Sequence, residues 1–265
     1  MWISFDLDGT ILDWPFGQVV FKPLRDSHGT PELHEAFKLE FRNRFAGSAP
    51  VSAFDWDDIH QQITAQLEHA PLPRILELAE QGDWTRTELI YPDTKPALEQ
   101  LEKMGYKSVV GTNGLAQYQR VALEKLGISV PHVIAPDTVG FVKPQAEFLT
   151  TFHTLEPDGV IGVHVGDLLA QDVMSANRAK VTAVWIWRDM PTDLRAIPVS
   201  DRPRDAAMQA AVQRTFEHEL ERDGRFGAAY EHTPRPDIIV ADLLELTGVL
   251  PDLTLEAGMA PSPRR

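Results

Sequence analysis

Two acidic side chains stand almost at the start of the chain, Asp6 and Asp8 in Phe5-Asp6-Leu7-Asp8-Gly9-Thr10, directly after Trp2-Ile3-Ser4. Successive side chains of a strand point to opposite faces, so carboxylates two residues apart at a strand's end lean into one small volume. Like charges this close disturb each other's proton affinity, which calls for a cation or a buried base beside them. Gly9 lets the backbone leave the strand at angles other residues resist, and Thr10 and Asp13 carry side chains suited to bonding the freed amides of a turn. A solvated turn uses the same residue types. What the paired acids behind an apolar run add is the makings of a reaction centre.

A site of this kind needs a scaffold, and the rest of the chain reads as one. From Ile11 to about Thr87 the pattern is helical: Phe37, Phe41 and Phe45 recur every four residues after Pro31, and Gly47 stops the run. Asp55 is placed to cap a second helix through about Leu67, and Leu72 to Leu78 reads as a third. Beyond Leu89-Ile90-Tyr91-Pro92, strands and helices alternate: a helix over Pro96 to Glu102 with Thr94 before it, a strand from Lys107 to Thr112, a helix from Ala116 to Leu126 and a strand at Val133-Ile134-Ala135. A helix from Gln145 to Leu155, a strand from Val160 to Val165, a helix from Leu169 to Ala179, a strand from Thr182 to Trp187 and a last strand from Asp237 to Ala241 follow. Near-continuous apolar strands in this order predict an α/β fold, a doubly wound Rossmann-like parallel sheet covered on both faces. Ligands of such sheets sit beyond the carboxyl ends of the strands, where Asp6, Thr112 and Asp167 all fall. The expected organisation is a core of residues 1–13 and 88–250 with an insertion at about 190–236, a helical unit at 14–87, and a flexible tail at 251–265. In the insertion, Met208, Val212, Phe216 and Leu220 form a stripe that predicts a helix docked on the domain or on a second subunit.

Composition narrows the partners. Of 265 residues, 43% are hydrophobic and 24% charged, an ordinary balance for a folded globular chain, and no segment is apolar for long enough to span a bilayer. Asp and Glu number 39 against 25 Lys and Arg, and the formal charge of −14 argues against a nucleic-acid partner. The absence of cysteine excludes disulfides, thiol catalysis and cysteine-ligated zinc, and Met1 running straight into a core strand points to a cytoplasmic protein. Nine histidines include no H-x-x-x-H or H-E-x-x-H pair, and Gly159, Gly162 and Gly166 miss the G-x-G-x-x-G spacing of a dinucleotide site. His164, between valines, reads as a core residue, Arg42 and Arg44 as solvated ones, and Trp14, Phe16 and Phe21 as core aromatics close enough to the acids to select substrate.

Four segments in order carry a resemblance. Asp6-Leu7-Asp8-Gly9-Thr10 is similar to the D-x-D-G-T motif of the haloacid-dehalogenase-like superfamily of phosphatases and phosphotransferases. Thr112-Asn113-Gly114 resembles its second motif, Lys143 in Phe141-Val142-Lys143-Pro144 its third, and Gly166-Asp167 with Asp172 its acidic fourth. Each piece has a plain structural use, Thr112 in a turn, Lys143 as a surface charge, Asp172 in a helix's first turn. All four in sequence order at successive strand ends make the joint functional reading the stronger one. The helical unit between the first and second motifs resembles the cap of one subgroup in position.

The resemblance implies a Mg²⁺-dependent phosphatase that hydrolyses a small phosphorylated metabolite through an aspartyl-phosphate. Asp6 would be the nucleophile, Asp8 the acid and base, and Thr112 and Lys143 would stabilise the phosphoryl group, with Gly9, Thr10, Asn113 and Gly114 around the substrate. The metal would be held by Asp6, the Asp8 carbonyl and Asp167, with Asp172 supporting it. Dehalogenases of the family lack an aspartate at the position of Asp8, since a departing halide needs no proton, so phosphoryl chemistry is expected. A phosphomutase would use the same motifs. A phospho-receiver that accepts a phosphoryl group without turnover would share the acids, Thr and Lys, although the cap and Asp8 argue against it. Phosphonate hydrolysis would need a cap lysine, and Lys22 and Lys38 fit no motif for that role.

Overall fold

The computed structural model describes residues 1–47, 50–223 and 232–257. Its centre is a parallel six-stranded sheet in the order β3-β2-β1-β4-β5-β6. The strands are β1 (Trp2–Phe5), β2 (Lys107–Gly111), β3 (Val133–Ile134), β4 (Ile161–Gly166), β5 (Thr182–Ile186) and β6 (Ile238–Val240). The order reverses at β1, which pairs with β2 on one side and β4 on the other, so Phe5 lies opposite both Val110 and Val165. A crevice opens at such a switch point beyond the strand ends, and Asp6 leads into it.

The helices are α1 (Lys22–His28), α2 (Pro31–Ala46), α3 (Trp56–Gln66), α4 (Ile75–Gln81), α5 (Thr94–Lys103), α6 (Ala116–Lys125), α7 (Pro136–Val139), α8 (Glu147–Thr150), α9 (Met174–Ala179), α10 (Thr192–Arg195), α11 (Ala206–Asp223) and α12 (Leu243–Ala257). Alternation along the strands divides the core into two layers. Ile3, Phe5, Val163 and Val165 point toward Leu101, Ala122 and Leu246 of α5, α6 and α12. Trp2, Val109, Ile161 and Trp185 meet Phe148, Ala176, Met208 and Phe216 of α8, α9 and α11. The doubly wound expectation therefore holds, and the insertion helix α11 docks on this domain with Met208, Val212 and Phe216 buried.

Helices α1 to α4 lie in the segment 14–87, the one expected to be a cap. The strands entering and leaving it meet at an antiparallel bridge, Leu12 to Ile90, where the Asp13 amide donates to the Leu89 carbonyl at 3.0 Å. Thr30 caps α2 by accepting from the Leu33 amide, and Asp55 caps α3 by accepting from the Asp58 amide. Leu33, Ile59 and Ile63 pack α2 on α3, whereas Phe16, Ile75 and Trp84 belong to the hydrophobic layer that continues into the main domain.

Several boundaries differ from expectation. The third cap helix starts at Ile75 rather than Leu72, because Pro71 and Pro73 hold their neighbours extended. A π-helical turn at Gly17–Phe21 runs into α1, which the apolar periodicity does not mark. The helix expected over 145–155 is one α-turn, α8, followed by a 3₁₀ turn at Thr151–Thr154. The last helix, α12, runs on past Leu250 into the segment read as tail, and 258–265 lie outside the described residues. Among the described residues no helix is long and apolar enough to cross a membrane.

Candidate active site

The strand geometry sets the site. β1 ends at Phe5, so Asp6 is the first residue beyond it and Asp8 lies in the loop. The two acids share one cavity, but the loop brings them there rather than strand pleating. The loop is wound on one carbonyl: the amides of Thr10, Ile11 and Leu12 converge on the Leu7 oxygen at 3.3, 3.0 and 2.9 Å. Gly9 has φ +77°, and a Cβ there would lie 2.3 Å from Asp167 Oδ2, so only glycine permits both the turn and the approach of that carboxylate. Gly9 thus backs Asp167, and the wholly buried Thr10 has no hydrogen-bond partner for its Oγ1. The turn-bonding role expected of Thr10 is not what the structure has, because the Leu7 carbonyl gathers those amides.

Lys143 is the hub. Its Nζ lies 2.5 Å from Asp6 Oδ1 and 2.6 Å from Asp172 Oδ1, and donates to the Gly111 carbonyl at 3.1 Å. It is 2% exposed, which excludes the surface-charge reading. Burial works against its charged form, but Asp172 and Asp6 outweigh that and raise its pKa. Asn113 fixes the Lys143 backbone from both sides, accepting from its amide at 2.8 Å and donating to its carbonyl at 3.2 Å. Asn113 also donates to Gln171 Oε1 at 2.8 Å, while Thr112 Oγ1 accepts from the Gly114 amide at 3.1 Å.

Asp172 is fully engaged. Its Oδ1 meets Lys143 and, at 3.1 Å, His164 Nε2, and its Oδ2 accepts from the Leu168 amide at 3.0 Å. Burial alone would raise its pKa, but Lys143 and His164 hold it below the usual range. His164 is buried and its Nδ1 is 3.0 Å from Ser4 Oγ, so it is the satisfied core residue its setting suggests, one that also braces Asp172.

One oxygen from each of Asp6, Asp167 and Asp172 lies within 4.8 Å of the others. Asp167 Oδ1 is buried with no partner, and the donor set is all hard oxygen. Those features fit a divalent cation that prefers oxygen ligands. Removal from water is the main cause pushing up the pKa of Asp6 and of Asp167, and Asp172 adds to both by repulsion. Asp8 also titrates high, at about 6, because burial outweighs the pull of Lys143 and a hydrogen bond from Gln119.

The shifts predict a pH dependence of stability. An acid whose folded pKa exceeds its ordinary 3.8 binds more protons folded than unfolded between the two values. Asp6, Asp8 and Asp167 therefore favour the fold most below about pH 4 and withdraw that support as pH climbs toward 6 and 7. Asp172 acts oppositely, its contribution being present at neutral pH and lost only as pH falls toward 2. In EDTA the thermal midpoint should be higher at pH 5.5 than at pH 7.5, and Mg²⁺ should narrow the gap by replacing the bound protons. Equal midpoints in EDTA, unmoved by Mg²⁺, would contradict the crowding.

The structure brings Asp6, Asp8, Thr112, Asn113, Gly114, Lys143, Asp167 and Asp172 to one cavity. Other participants escaped the motifs. Gln119 on α6 stands beside Asp8, and a Cβ on Gly114 would fall 1.9 Å from its Nε2. Glu219 of α11 accepts from the Leu169 and Ala170 amides at 3.1 and 2.7 Å, holding the turn between Asp167 and Asp172. A signal for it exists, since Glu219 lies seven residues after Val212 and three after Phe216, on the apolar stripe. Arg188 pairs with Asp93 at 2.7 Å and donates to the Thr10 carbonyl, tying the acidic loop to the base of α5. Arg44 is not solvated: it pairs with Glu40 at 2.7 Å and Asp58 at 2.6 Å inside the cap.

Six parallel strands, with a helical segment inserted after the first, bring four acids and one lysine to the switch point of a Rossmann-like sheet. The family description haloacid dehalogenase-like hydrolase matches residues 1–180, and the chain belongs to that family. A glyceraldehyde 3-phosphate phosphatase of Methanopyrus kandleri is 35% identical over 116 residues, which is 43% of this chain and 50% of that protein, so the match spans half the relative's length. The crystal structure of a HAD phosphatase from Thermococcus onnurineus superposes with a TM-score of 0.58 at 25% identity, covering 94% of this chain and 96% of that one. A 2-haloacid dehalogenase from Pseudomonas syringae pv. Tomato DC3000 shares the fold, with a TM-score of 0.57 at 22% identity over 95% of this chain and 98% of its own.

Proposed function

We infer that the chain is a Mg²⁺-dependent phosphatase that cleaves phosphate monoesters through a covalent phosphate on Asp6. The observation that carries this reading is the pairing of Asp6 with Lys143 at 2.5 Å in a cavity that also holds a second acid, Asp8. Asp6 attacks phosphorus, the bond to the ester oxygen breaks, and protonated Asp8 gives that oxygen its proton. Asp8, now a carboxylate, takes a proton from water as the water attacks the phosphorus on Asp6, which frees inorganic phosphate and restores the aspartate. A pKa near 6 lets one carboxyl serve both halves near neutral pH. Lys143 steadies Asp6 and offsets charge, while Thr112 and the amides of Asn113 and Gly114 lie at the strand end where phosphoryl oxygens are held. Asp6, Asp167 and the Asp8 carbonyl would hold Mg²⁺, with Asp172 fixing Lys143, and the ion when bound screens the repulsion between carboxylate and ester. A cytoplasmic setting suits a chain with no cysteine.

Incubation with p-nitrophenyl phosphate and Mg²⁺ should give repeated turnover. A single stoichiometric phosphorylation would instead make the chain a receiver. Asp8→Asn separates the two roles of the acid pair: for an alkyl phosphate, whose alkoxide needs a proton, kcat should fall about 10²- to 10⁴-fold. For p-nitrophenyl phosphate, whose leaving group departs unprotonated, the first step should lose much less, and Mg²⁺ affinity should change little. Equal losses of that step for both esters would remove Asp8 from proton transfer.

A further inference from the structure

The cavity above the acids continues beneath the cap as one space of about 580 Å³, and the chemistry of its walls changes along its length. Its floor carries Asp6, Asp8, Lys143 and Asp167, whereas Phe21, Leu33, Phe37, Phe54, Ile63 and Leu72 line the cap side. His28, Thr30, His34 and His60 interrupt that apolar wall. His60 lines it with its ring 5.2 Å from that of Phe37, and its Nδ1 is buried without a hydrogen-bond partner. Burial lowers the pKa of His60, which keeps the ring neutral and able to exchange a hydrogen bond with an uncharged group.

This space belongs to a cap seated on the main domain. Trp56 stacks on Tyr118 of α6 with ring centroids 4.9 Å apart and planes 11° from parallel. The Tyr118 hydroxyl donates to Asp57 Oδ2 at 3.2 Å and accepts from the Asp57 amide at 3.3 Å. Arg25, Lys38 and Arg42 line the cavity and are exposed, and with Lys38 paired to Glu35 at 3.0 Å it is Arg25 and Arg42 that give a chain of net charge −14 a local basic rim drawing an anion inward.

A three-carbon polyol would leave the upper apolar walls facing water and gain nothing from them. A wide apolar body covers those walls and releases that water. We propose that the enzyme acts on phosphate monoesters of bulky, mainly apolar alcohols with an aromatic body, bearing one uncharged polar group within reach of His60. This specificity rests on the phosphatase reading above.

Three esters with alkyl leaving groups, glycerol 3-phosphate, benzyl phosphate and 2-naphthylmethyl phosphate, test it with Mg²⁺ present. The value of kcat/KM should climb at least tenfold from the first to the last, mainly through KM. Leu72→Trp, which fills the cap end from a loop position, should cost 2-naphthylmethyl phosphate at least tenfold more than it costs glycerol 3-phosphate. A preference for glycerol 3-phosphate, or an equal effect of Leu72→Trp on both, overturns the proposal. Calorimetry with methylphosphonate and 2-naphthylmethylphosphonate reads the cavity without chemistry. If no ester turns over, the phosphatase reading falls, and the cavity assignment still stands or falls by whether the naphthyl compound binds at least tenfold tighter and loses that advantage in Leu72→Trp.

Discussion

Replacing Asp6 by Asn should lower kcat by about four to six orders of magnitude, the scale seen when the nucleophile of a catalytic unit is removed. An amide oxygen can still accept from Lys143, now 2.5 Å from Asp6 Oδ1, and β1 keeps its pairing on both sides, so the far-ultraviolet circular dichroism should be unchanged. The variant should also fail to yield the homoserine that borohydride reduction of a phosphorylated aspartate leaves at position 6 in the parent enzyme. Asp8→Asn should still yield it with an aryl phosphate, because attack at phosphorus precedes the step that needs a base. Substantial turnover by folded Asp6→Asn would move the covalent step to another residue.

Lys143→Met should be the most damaging change to the fold among the site residues. Two carboxylates at 2.5 and 2.6 Å lose their shared cation in a setting where the lysine is 2% exposed. Breaking a buried ion pair from one side typically costs about 3–5 kcal/mol because the remaining charge is left uncompensated. In EDTA at pH 7.5 the denaturation midpoint should drop accordingly, and at pH 5.5 the loss should shrink as Asp6 takes up a proton. The sign follows from charge removal: protonation neutralises the orphaned acid, so it can relieve only a charge penalty and not a packing defect. A loss of the same size at both pH values would assign the damage to altered packing of the methionine side chain beside Phe148, whose ring centroid lies 5.9 Å from Nζ.

Much of this was legible because the main domain states its rules locally. An apolar strand ending in Asp6, Thr112 or Asp167 announces both a parallel sheet and the edge where ligands gather, and the observed strand order agrees. Capping at Thr30 and Asp55 likewise needs only neighbours in sequence. The π-turn before α1 and the broken helix after Gln145 were not legible, since packing against distant residues, Trp84 on Phe16 and Trp2 on Phe152, decides them over periodicity. Glu219 shows the same limit: it meets the Leu169 and Ala170 amides from some fifty positions away, so its stripe position reveals burial but not its partner. The fate of Thr10 depended on which acceptor gathered the turn amides, and a backbone carbonyl won over a side chain.

The place of β1 in the sheet has a further consequence. Its amides and carbonyls are bonded to a strand on either side, and three strands stand on one side and two on the other. Fraying therefore begins at β3 or β6 and must cross intervening strands before it reaches the reacting carboxyl. The helical segment after β1 is joined to the sheet side through the Leu12–Ile90 crossing and the Trp56–Tyr118 stack, not through β1 itself. On the phosphatase reading, the attacking group would thus sit at the strand with most pairing around it, the part of the sheet last reached by opening.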